Sequence, residues 1–162
     1  MRIAFVMGSD SDLPVVEKGI EIVKSFGVDC EVRIISAHRT PYEAEEFAKN
    51  AEEKGIGVII AAAGKAAHLG GVIAAYTTLP VVALPIKSST LDGLDSLLSM
   101  VQMPPGIPVA TVAIDGAVNA ALLALQMLAL SDEKVKAALK TYKQDMAEAV
   151  RKKDEAVRQQ YA

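Results

Sequence analysis

Short apolar runs rich in valine and isoleucine alternate along the chain with longer segments in which apolar residues recur at helical spacing. This alternation is typical of repeated β-α-β units, which build a parallel sheet with helices packed against it. We therefore predict an α/β fold with a doubly wound, five-stranded parallel sheet. The predicted strands cover residues 3–7, 31–35, 58–62, 81–84 and 109–113.

Two segments between these strands have clear helical periodicity, residues 15–26 and 42–54. Each is followed by a glycine, Gly27 or Gly55, and glycine commonly follows the last turn of a helix because it adopts the left-handed conformation at little cost. We expect both helices to end at these glycines.

The last part of the chain differs from an ordinary surface helix. Residues 117–130 are apolar on nearly all sides, which predicts a helix covered from more than one direction. From Asp132 to about Gln160 an apolar stripe runs through otherwise charged sequence, at Val135, Leu139, Tyr142, Met146 and Val150. A helix of that length is longer than a small domain can cover. Two interpretations stay open: the helix packs on a neighbouring subunit, or it breaks after Val150 in a solvated charged run.

Length and charge narrow the classes of function. A chain of 162 residues, 51% of them apolar, suits one domain, with residues 1–130 as the α/β body and 131–162 as the terminal helix. The net charge of −3 is spread along the chain, so we expect no nucleic-acid partner and no membrane contact. The first apolar stretch is too short for a secretory leader. Cys30 is the single cysteine, which fits a reducing compartment and a cytoplasmic protein.

Ligands of doubly wound sheets bind beyond the carboxyl ends of the strands, where the strand order reverses. Three loops occupy this position in the prediction: the first loop, residues 8–12; the second loop, residues 36–41; and the third loop, residues 63–71. Both histidines of the chain, His38 and His68, fall in these loops. We therefore expect the chemistry of the protein here.

The second loop precedes a predicted helix start, with Thr40 as N-cap, Pro41 in the first turn and Glu43 completing a capping box. Arg39 stands beside this helix N-terminus and can bind phosphate oxygens in a bidentate manner; the alternative is a pair with a surface carboxylate. His38 is the candidate acid and base, since histidine exchanges protons near neutral pH; a structural role in the turn is the alternative.

The first loop contains neither the Gly-x-Gly-x-x-Gly fingerprint nor a Walker lysine, so a ligand smaller than a dinucleotide or a nucleoside triphosphate is implied. Ser9 and Ser11 can donate to a phosphate, and Asp12 can accept from ribose hydroxyls. The competing interpretation is that Ser11 or Asp12 caps the helix that follows.

The glycines of the third loop allow backbone to approach a ligand closely, and its polar side chains are Lys65 and His68. His68 is as consistent with a packed, hydrogen-bonded histidine as with a catalytic one. No His-x-x-x-His or Cys-x-x-Cys spacing occurs, so we expect no metal and no bound cofactor.

Five segments together resemble the N5-carboxyaminoimidazole ribonucleotide mutase family, and the resemblance extends over residues 2–130. The segments are 8–12 (GSDSD), 36–41 (SAHRTP), 66–69 (AAHL), 96–104 (SLLSMVQMP) and 119–124 (NAALLA). The third of them favours the mutases over the related aminoimidazole ribonucleotide carboxylases. The resemblance implies a flavodoxin-like, three-layer αβα fold, a homo-octamer, and transfer of a carboxylate from the exocyclic nitrogen to C4 of an imidazole ribonucleotide in purine biosynthesis.

Carried over by position, the resemblance implies that His38 is the general acid and base. It also implies that Ser9, Asp12 and Arg39 hold the ribose phosphate and that Ser36 supports the loop. The full set of implied substrate contacts is Gly8, Ser9, Ser11, Asp12, Ser36, Ala37, Arg39, Gly64, Ala66, Ala67, His68 and Leu69. In similar proteins the carbamate is thought to release CO₂, which the pocket retains until C4 attacks it; this requires a closed pocket and one proton shuttle.

The third loop departs from the family pattern. Similar proteins usually have Gly-Gly where this chain has Gly64-Lys65, and Pro-Gly where it has Gly70-Gly71; Val72 stands where methionine is common. Lys65 brings a charge and a Cβ into a tight loop and either contacts the substrate carboxylate or points into solvent, while Gly70 is expected to loosen the chain after His68. Two other functions remain as alternatives, a direct carboxylase using free CO₂ and a non-catalytic ribonucleotide-binding module.

Overall fold

A computed structural model of the chain describes residues 1–89 and 91–162. Its sheet has five parallel strands in the order β2-β1-β3-β4-β5. The strands are β1 (Arg2–Met7), β2 (Cys30–Ile34), β3 (Ile56–Ala63), β4 (Val81–Pro85) and β5 (Ala110–Thr111). All five predicted strands are confirmed in type and order, although β5 has two residues where the sequence predicts five.

Six α-helices in the described residues connect and flank the strands. They are α1 (Leu13–Ser25), α2 (Pro41–Asn50), α3 (Leu69–Tyr76), α4 (Leu94–Val101), α5 (Ala117–Leu128) and α6 (Glu133–Gln160). The predicted stop at Gly27 is confirmed, because α1 ends at Ser25 with Phe26 as its C-cap and Gly27 has a φ of 70°. The predicted stop at Gly55 is wrong, because α2 ends at Asn50 and a turn covers the residues up to Gly55, whose φ is 75°. Helices α3 and α4 lie in segments for which the sequence pattern predicts no element.

The sheet is covered on both sides, which gives the predicted three layers. Side chains alternate along β1, so Ile3, Phe5 and Met7 face a core formed with α1 and α5. Ala4 and Val6 face the opposite core, formed with α2, α3 and the buried Met100 of α4. Because both faces are buried, the inner strands are apolar at every position, as parallel strands usually are.

Helix α6 is continuous to Gln160, so the prediction of a break after Val150 is wrong. Its first turn is capped by the Asp132 carboxylate, which accepts hydrogen bonds from the backbone N–H of Lys134 at 2.9 Å and of Val135 at 3.1 Å. The helix contacts the body only near its start: Val135 is buried, and the ring of Tyr142 lies 5.6 Å from that of Phe26. No helix in the described part of the chain is both long enough and apolar enough to cross a membrane.

Candidate active site

A groove of about 670 Å³ lies beyond the carboxyl ends of β1 to β4. The strand order reverses between β1 and β3, so the loops that follow these strands diverge and leave space between them. The lining residues are Gly8, Ser9, Ser11, Asp12, Ser36, Ala37, His38, Arg39, Ala63, Gly64, Lys65, Ala66, His68, Leu69, Ile86, Lys87, Ser88 and Ser89. Three basic side chains and one carboxylate are among them, so the groove favours an anionic ligand.

Every predicted site residue lines this groove except Ala67. Ala67 is buried, with 1% exposure, in the core between the sheet and α2 and α3. Its side chain therefore supports the third loop from below and does not face a ligand. Gly70, expected to loosen the chain after His68, is instead buried within the first turn of α3.

The first loop forms a short 3-10 turn, Asp10–Asp12, ahead of α1. The hydroxyl of Ser9 caps this turn by accepting from the backbone N–H of Ser11 at 3.3 Å. Asp12 is the N-cap residue of α1 but makes no side-chain capping bond, and Ser11 donates to the Asp12 carboxylate at 3.4 Å. Asp12 thus takes the N-cap position, as the competing interpretation expects, but its side chain makes no capping bond, and both side chains lie at the groove.

Asp12 is one of two buried polar residues among those described, with 7% exposure. Burial raises the pKa of its carboxyl above the usual value, because removal from water penalises the charged form. Hydrogen bonds from the Ser9 backbone and the Ser11 side chain oppose this shift, and the negative charge of Asp10 adds to it. A ligand that donates hydroxyl hydrogen bonds to this carboxylate would satisfy it.

The second loop is held by a ring of hydrogen bonds between its two ends. The hydroxyl of Thr40 accepts from the backbone N–H of Ser36 at 3.0 Å and donates to the Ser36 carbonyl at 3.1 Å. The predicted capping box is wrong: Thr40 is the N-cap residue of α2, yet its side chain makes no capping bond to the helix. These bonds close the loop tightly and present His38 and Arg39 at its tip.

Arg39 is directed across the first loop. Its Nη2 donates to the Gly8 carbonyl at 2.9 Å, and its Nε donates to the Ser36 hydroxyl at 3.3 Å. None of the ion pairs within residues 1–89 and 91–162 includes Arg39, so the structure does not support the alternative of a surface carboxylate partner. The guanidinium, Ser9 and the N-terminus of α2 together form a corner suited to a phosphate.

His38 and His68 meet across the groove. His38 Nε2 lies 2.8 Å from His68 Nδ1, and the rings are edge to face with centroids 4.9 Å apart. One of these two nitrogens carries a proton and donates to the other, because two bare nitrogens or two N–H groups would repel at this distance. The pair therefore has a position for one shared proton, which is the arrangement that a proton shuttle needs. His68 is hydrogen-bonded, as one interpretation of the sequence expects, and it also faces the candidate base.

The third loop brings Lys65 into the lining, beside Gly64 and Ala66. Lys65 has a φ of 57°, in the left-handed region that non-glycine residues seldom adopt. His68 comes three residues later, immediately before α3, with its backbone N–H donating to the Ala66 carbonyl at 3.0 Å.

The structure adds a fourth loop that the sequence argument did not assign to the site. Lys87, Ser88 and Ser89 follow β4 and line the groove. The Ser88 hydroxyl donates to the Asp95 carboxylate at 3.1 Å, and the Asp115 carboxylate accepts from the Lys87 backbone at 2.9 Å. The sequence does contain a signal for this loop: polar residues follow the apolar strand β4, which pairs with β3.

In the described part of the chain, no cluster of three or more His, Cys, Asp and Glu side chains has an arrangement that could hold a metal ion. The groove instead combines an anion-binding corner with a histidine pair, which can hold a phosphorylated ligand and move a proton.

Comparison with known proteins agrees with this chemistry. The family model described as AIR carboxylase matches residues 2–149. N5-carboxyaminoimidazole ribonucleotide mutase from Pyrococcus abyssi is 59% identical over 145 residues, which cover 90% of this chain and 83% of that protein. The mutase of the same name from Thermotoga maritima is 53% identical over 158 residues, which cover 98% of this chain and 92% of that protein.

Two further proteins widen the comparison. Phosphoribosylaminoimidazole carboxylase from chloroplasts of Vigna aconitifolia is 55% identical over 148 residues, which cover 91% of this chain and 27% of that longer protein. The crystal structure of PurE from Treponema denticola superposes with a TM-score of 0.85 and 30% identity, covering 94% of this chain and 96% of that one.

Proposed function

This chain belongs to the AIR carboxylase family, and from that premise we propose that it is an N5-carboxyaminoimidazole ribonucleotide mutase of purine biosynthesis. The enzyme is then an isomerase that converts N5-carboxyaminoimidazole ribonucleotide into 4-carboxyaminoimidazole ribonucleotide. Support comes from mutases that are 50–60% identical over most of the chain. The observation that carries the mechanism is the contact between His38 and His68 at the edge of an anion-binding groove.

The groove suggests an orientation for the substrate. Arg39, Ser9 and the start of α2 hold the phosphate beside the first loop, and the buried Asp12 accepts hydrogen bonds from the ribose hydroxyls. Gly8, Ser11, Ser36 and Ala37 complete this end of the groove. The imidazole ring then extends along the edge of the sheet toward the third and fourth loops, where Gly64, Ala66, His68 and Leu69 surround it.

We propose that His38 moves the protons of the reaction. The bond between the exocyclic nitrogen and the carboxylate carbon breaks, CO₂ is released into the groove, and the nitrogen takes a proton from His38. C4 of the imidazole attacks the carbon of CO₂, and the C4 proton returns to His38. One proton leaves the histidine and one comes back, so the isomerisation balances with no external acid or base, and His68 orients the ring by hydrogen bonding.

The Vigna relative supports a second candidate, direct carboxylation of aminoimidazole ribonucleotide by free CO₂. Both reactions give the same product, so the experiment supplies each substrate separately to the purified protein and follows formation of 4-carboxyaminoimidazole ribonucleotide. A mutase forms it rapidly from the N5-carboxylated substrate. Faster formation from aminoimidazole ribonucleotide plus bicarbonate would establish the carboxylase instead.

The role of His38 is tested in the same assay with His38→Asn. Loss of a general acid and base is expected to lower kcat by about 10²- to 10⁴-fold. His38 is exposed in the single chain, so the variant should keep its melting temperature and its assembly state. Turnover close to wild type in the folded variant would refute the assignment of His38.

We also propose that the protein is cytoplasmic and assembles as a homo-octamer. Its one cysteine, Cys30, is a free thiol, which suits a reducing compartment. Large apolar side chains are exposed on α4, at Leu94, Leu98 and Val101, and on the outer part of α6. We propose that residues 1–130 form the catalytic body and that residues 131–162 contact a neighbouring subunit.

A further inference from the structure

Lys65 is held in a conformation that is unfavourable for lysine. Its φ of 57° lies in the left-handed region, where a side chain with a Cβ costs about 1–2 kcal/mol relative to the ordinary helical region. Glycine would adopt the same backbone conformation without this cost. Residues with a strained backbone are concentrated at ligand sites, so Lys65 is a candidate ligand contact.

Three other described non-glycine residues have positive φ: the exposed Leu91, and Asp92 and Asp115, whose carboxylates have polar partners. Asp115 accepts a hydrogen bond from the Lys87 backbone at 2.9 Å, and Asp92 lies 3.2 Å from the Lys87 ammonium. Within residues 1–89 and 91–162, the ammonium group of Lys65 makes no comparable hydrogen bond or ion pair. Its charge is therefore available to a ligand.

The position of Lys65 along the sheet edge indicates which part of a ligand it meets. Arg39 is in the loop after β2, the first loop follows β1, and the third loop follows β3. In the strand order β2-β1-β3-β4, the first loop therefore lies between Arg39 and the third loop. Neighbouring strands are about 4.8 Å apart, so the loops after β3 and β4 lie roughly 5 to 10 Å from the one after β1. His68, from the same loop as Lys65, contacts His38. Lys65 thus lies in the loop that supplies His68, two strands away from β2, which precedes the loop that carries Arg39.

A substrate of the proposed enzyme carries two anionic groups, a phosphate and the carboxylate that is transferred. Arg39 serves the first, and of the remaining basic residues in the lining Lys87 is already paired with Asp92. An anion at the imidazole end is stabilised by a cation there, since a carboxylate that is partly removed from water costs free energy unless it is paired. Lys65 is the unpaired cation at that end among the described lining residues.

We propose that Lys65 is a specificity-determining residue whose ammonium binds the transferable carboxylate and so distinguishes carboxylated from uncarboxylated aminoimidazole ribonucleotide. This inference rests on the proposed function, because it takes the orientation of the substrate from it. The ammonium contacts the carboxylate on the exocyclic nitrogen of the substrate and on C4 of the product. It accordingly contributes to binding of both and takes no part in the proton transfer.

The test compares two ligands that differ only in the carboxylate, 4-carboxyaminoimidazole ribonucleotide and aminoimidazole ribonucleotide, by calorimetric titration. Lys65→Asn removes the charge while keeping a residue that tolerates positive φ. Loss of one charge-assisted hydrogen bond should raise Kd for the carboxylated ligand about 10-fold or more. Affinity for the uncarboxylated ligand should be unchanged. Lys65→Arg should retain most of the discrimination, and Lys54→Asn, an exposed lysine at the opposite end of the strands, is the matched control.

Each result decides between distinct possibilities. An equal loss of affinity for both ligands would place Lys65 at the phosphate or ribose and overturn the inference, as would unchanged affinity for both. If wild-type protein binds neither ligand, the proposed function itself fails. A melting temperature of Lys65→Asn at or above that of wild type would show that the loss of affinity does not come from unfolding.

Discussion

At the scale of single residues, Asp12 combines a cost to the fold with a proposed role in binding. Its folded-state pKa is raised above the usual 3.8, chiefly by burial, so the folded chain binds a proton more readily than the unfolded chain. The contribution of Asp12 to stability is therefore most favourable below that value and is lost as pH rises through the folded-state pKa. At neutral pH the buried carboxylate destabilises the free protein, which suggests that function and not folding requires it.

Asp12→Asn should consequently increase stability and weaken binding. At pH 7 we expect a higher melting temperature than wild type, with the difference disappearing near pH 3, because both side chains are then uncharged. Loss of hydrogen bonds from ribose hydroxyls to a charged acceptor should raise Kd for the ribonucleotide roughly 10- to 100-fold. Thermal unfolding between pH 3 and pH 8 and calorimetric titration measure the two effects.

Asp10→Asn is the matched control for this variant, since Asp10 is exposed in the same loop. It makes the same change in charge without relieving burial, so the difference between its melting temperature and that of wild type should change little with pH. A lower melting temperature of Asp12→Asn at pH 7 would contradict the argument, because it would show that the carboxylate stabilises the fold.

At the scale of elements, the conformation of the second loop depends on the hydroxyl of Thr40. Thr40→Val keeps the shape of the side chain but removes both hydrogen bonds to Ser36 and leaves a partly buried backbone N–H without its acceptor. We expect a loss of about 1–3 kcal/mol in the free energy of unfolding, measured by urea denaturation. Because the loop carries His38 and Arg39, kcat/KM should fall as well.

Thr40→Ser retains the hydroxyl and should stay close to wild type in both measurements. If Thr40→Val unfolds at the same urea concentration as wild type and keeps full activity, the hydrogen bonds of Thr40 do not hold the loop.

The second loop shows which features could be predicted from the sequence and which could not. Proline and threonine predict the start of α2 correctly, since the fixed φ of proline suits the first helical position, where its missing N–H is not needed. The capping box is wrong because the Thr40 hydroxyl has a competing partner, the backbone of Ser36, which becomes its neighbour only when the loop folds back on itself. Local patterns identify candidate donors and acceptors, whereas tertiary structure selects among them.

Other features were not predicted from the sequence for a comparable reason. Helix α3 (Leu69–Tyr76) is apolar on most sides and contains two glycines, so it shows no amphipathic period from which to predict it. The fourth loop was overlooked because its place beside the third depends on β4 pairing with β3, a non-local contact. In contrast, inner strands buried on both faces need apolar residues at every position, and this requirement made them readable from the sequence.

At the scale of the whole molecule, the shape of α6 argues for an assembly. Its 28 residues extend about 42 Å, and after Tyr142 the apolar stripe continues without cover from the chain itself. Met146 is 46% exposed and Val150 is 65% exposed. A long amphipathic helix with an uncovered apolar stripe is typical of a surface that another subunit covers.

The proposed contact of α6 with a neighbouring subunit can be broken without disturbing the body. The double variant Met146→Asp/Val150→Asp places charges on the stripe and should remove about 1.5–3 kcal/mol per side chain from each contact in which it is buried. Sedimentation velocity should then show species smaller than the wild-type assembly, and the monomer fold should persist because both side chains are exposed in it. Gln144→Asp introduces a single negative charge on the polar face of α6 and should leave the assembly intact. If the double variant sediments like wild type, the stripe of α6 does not form the proposed interface, and the exposed apolar face of α4 is the next surface to test in the same way.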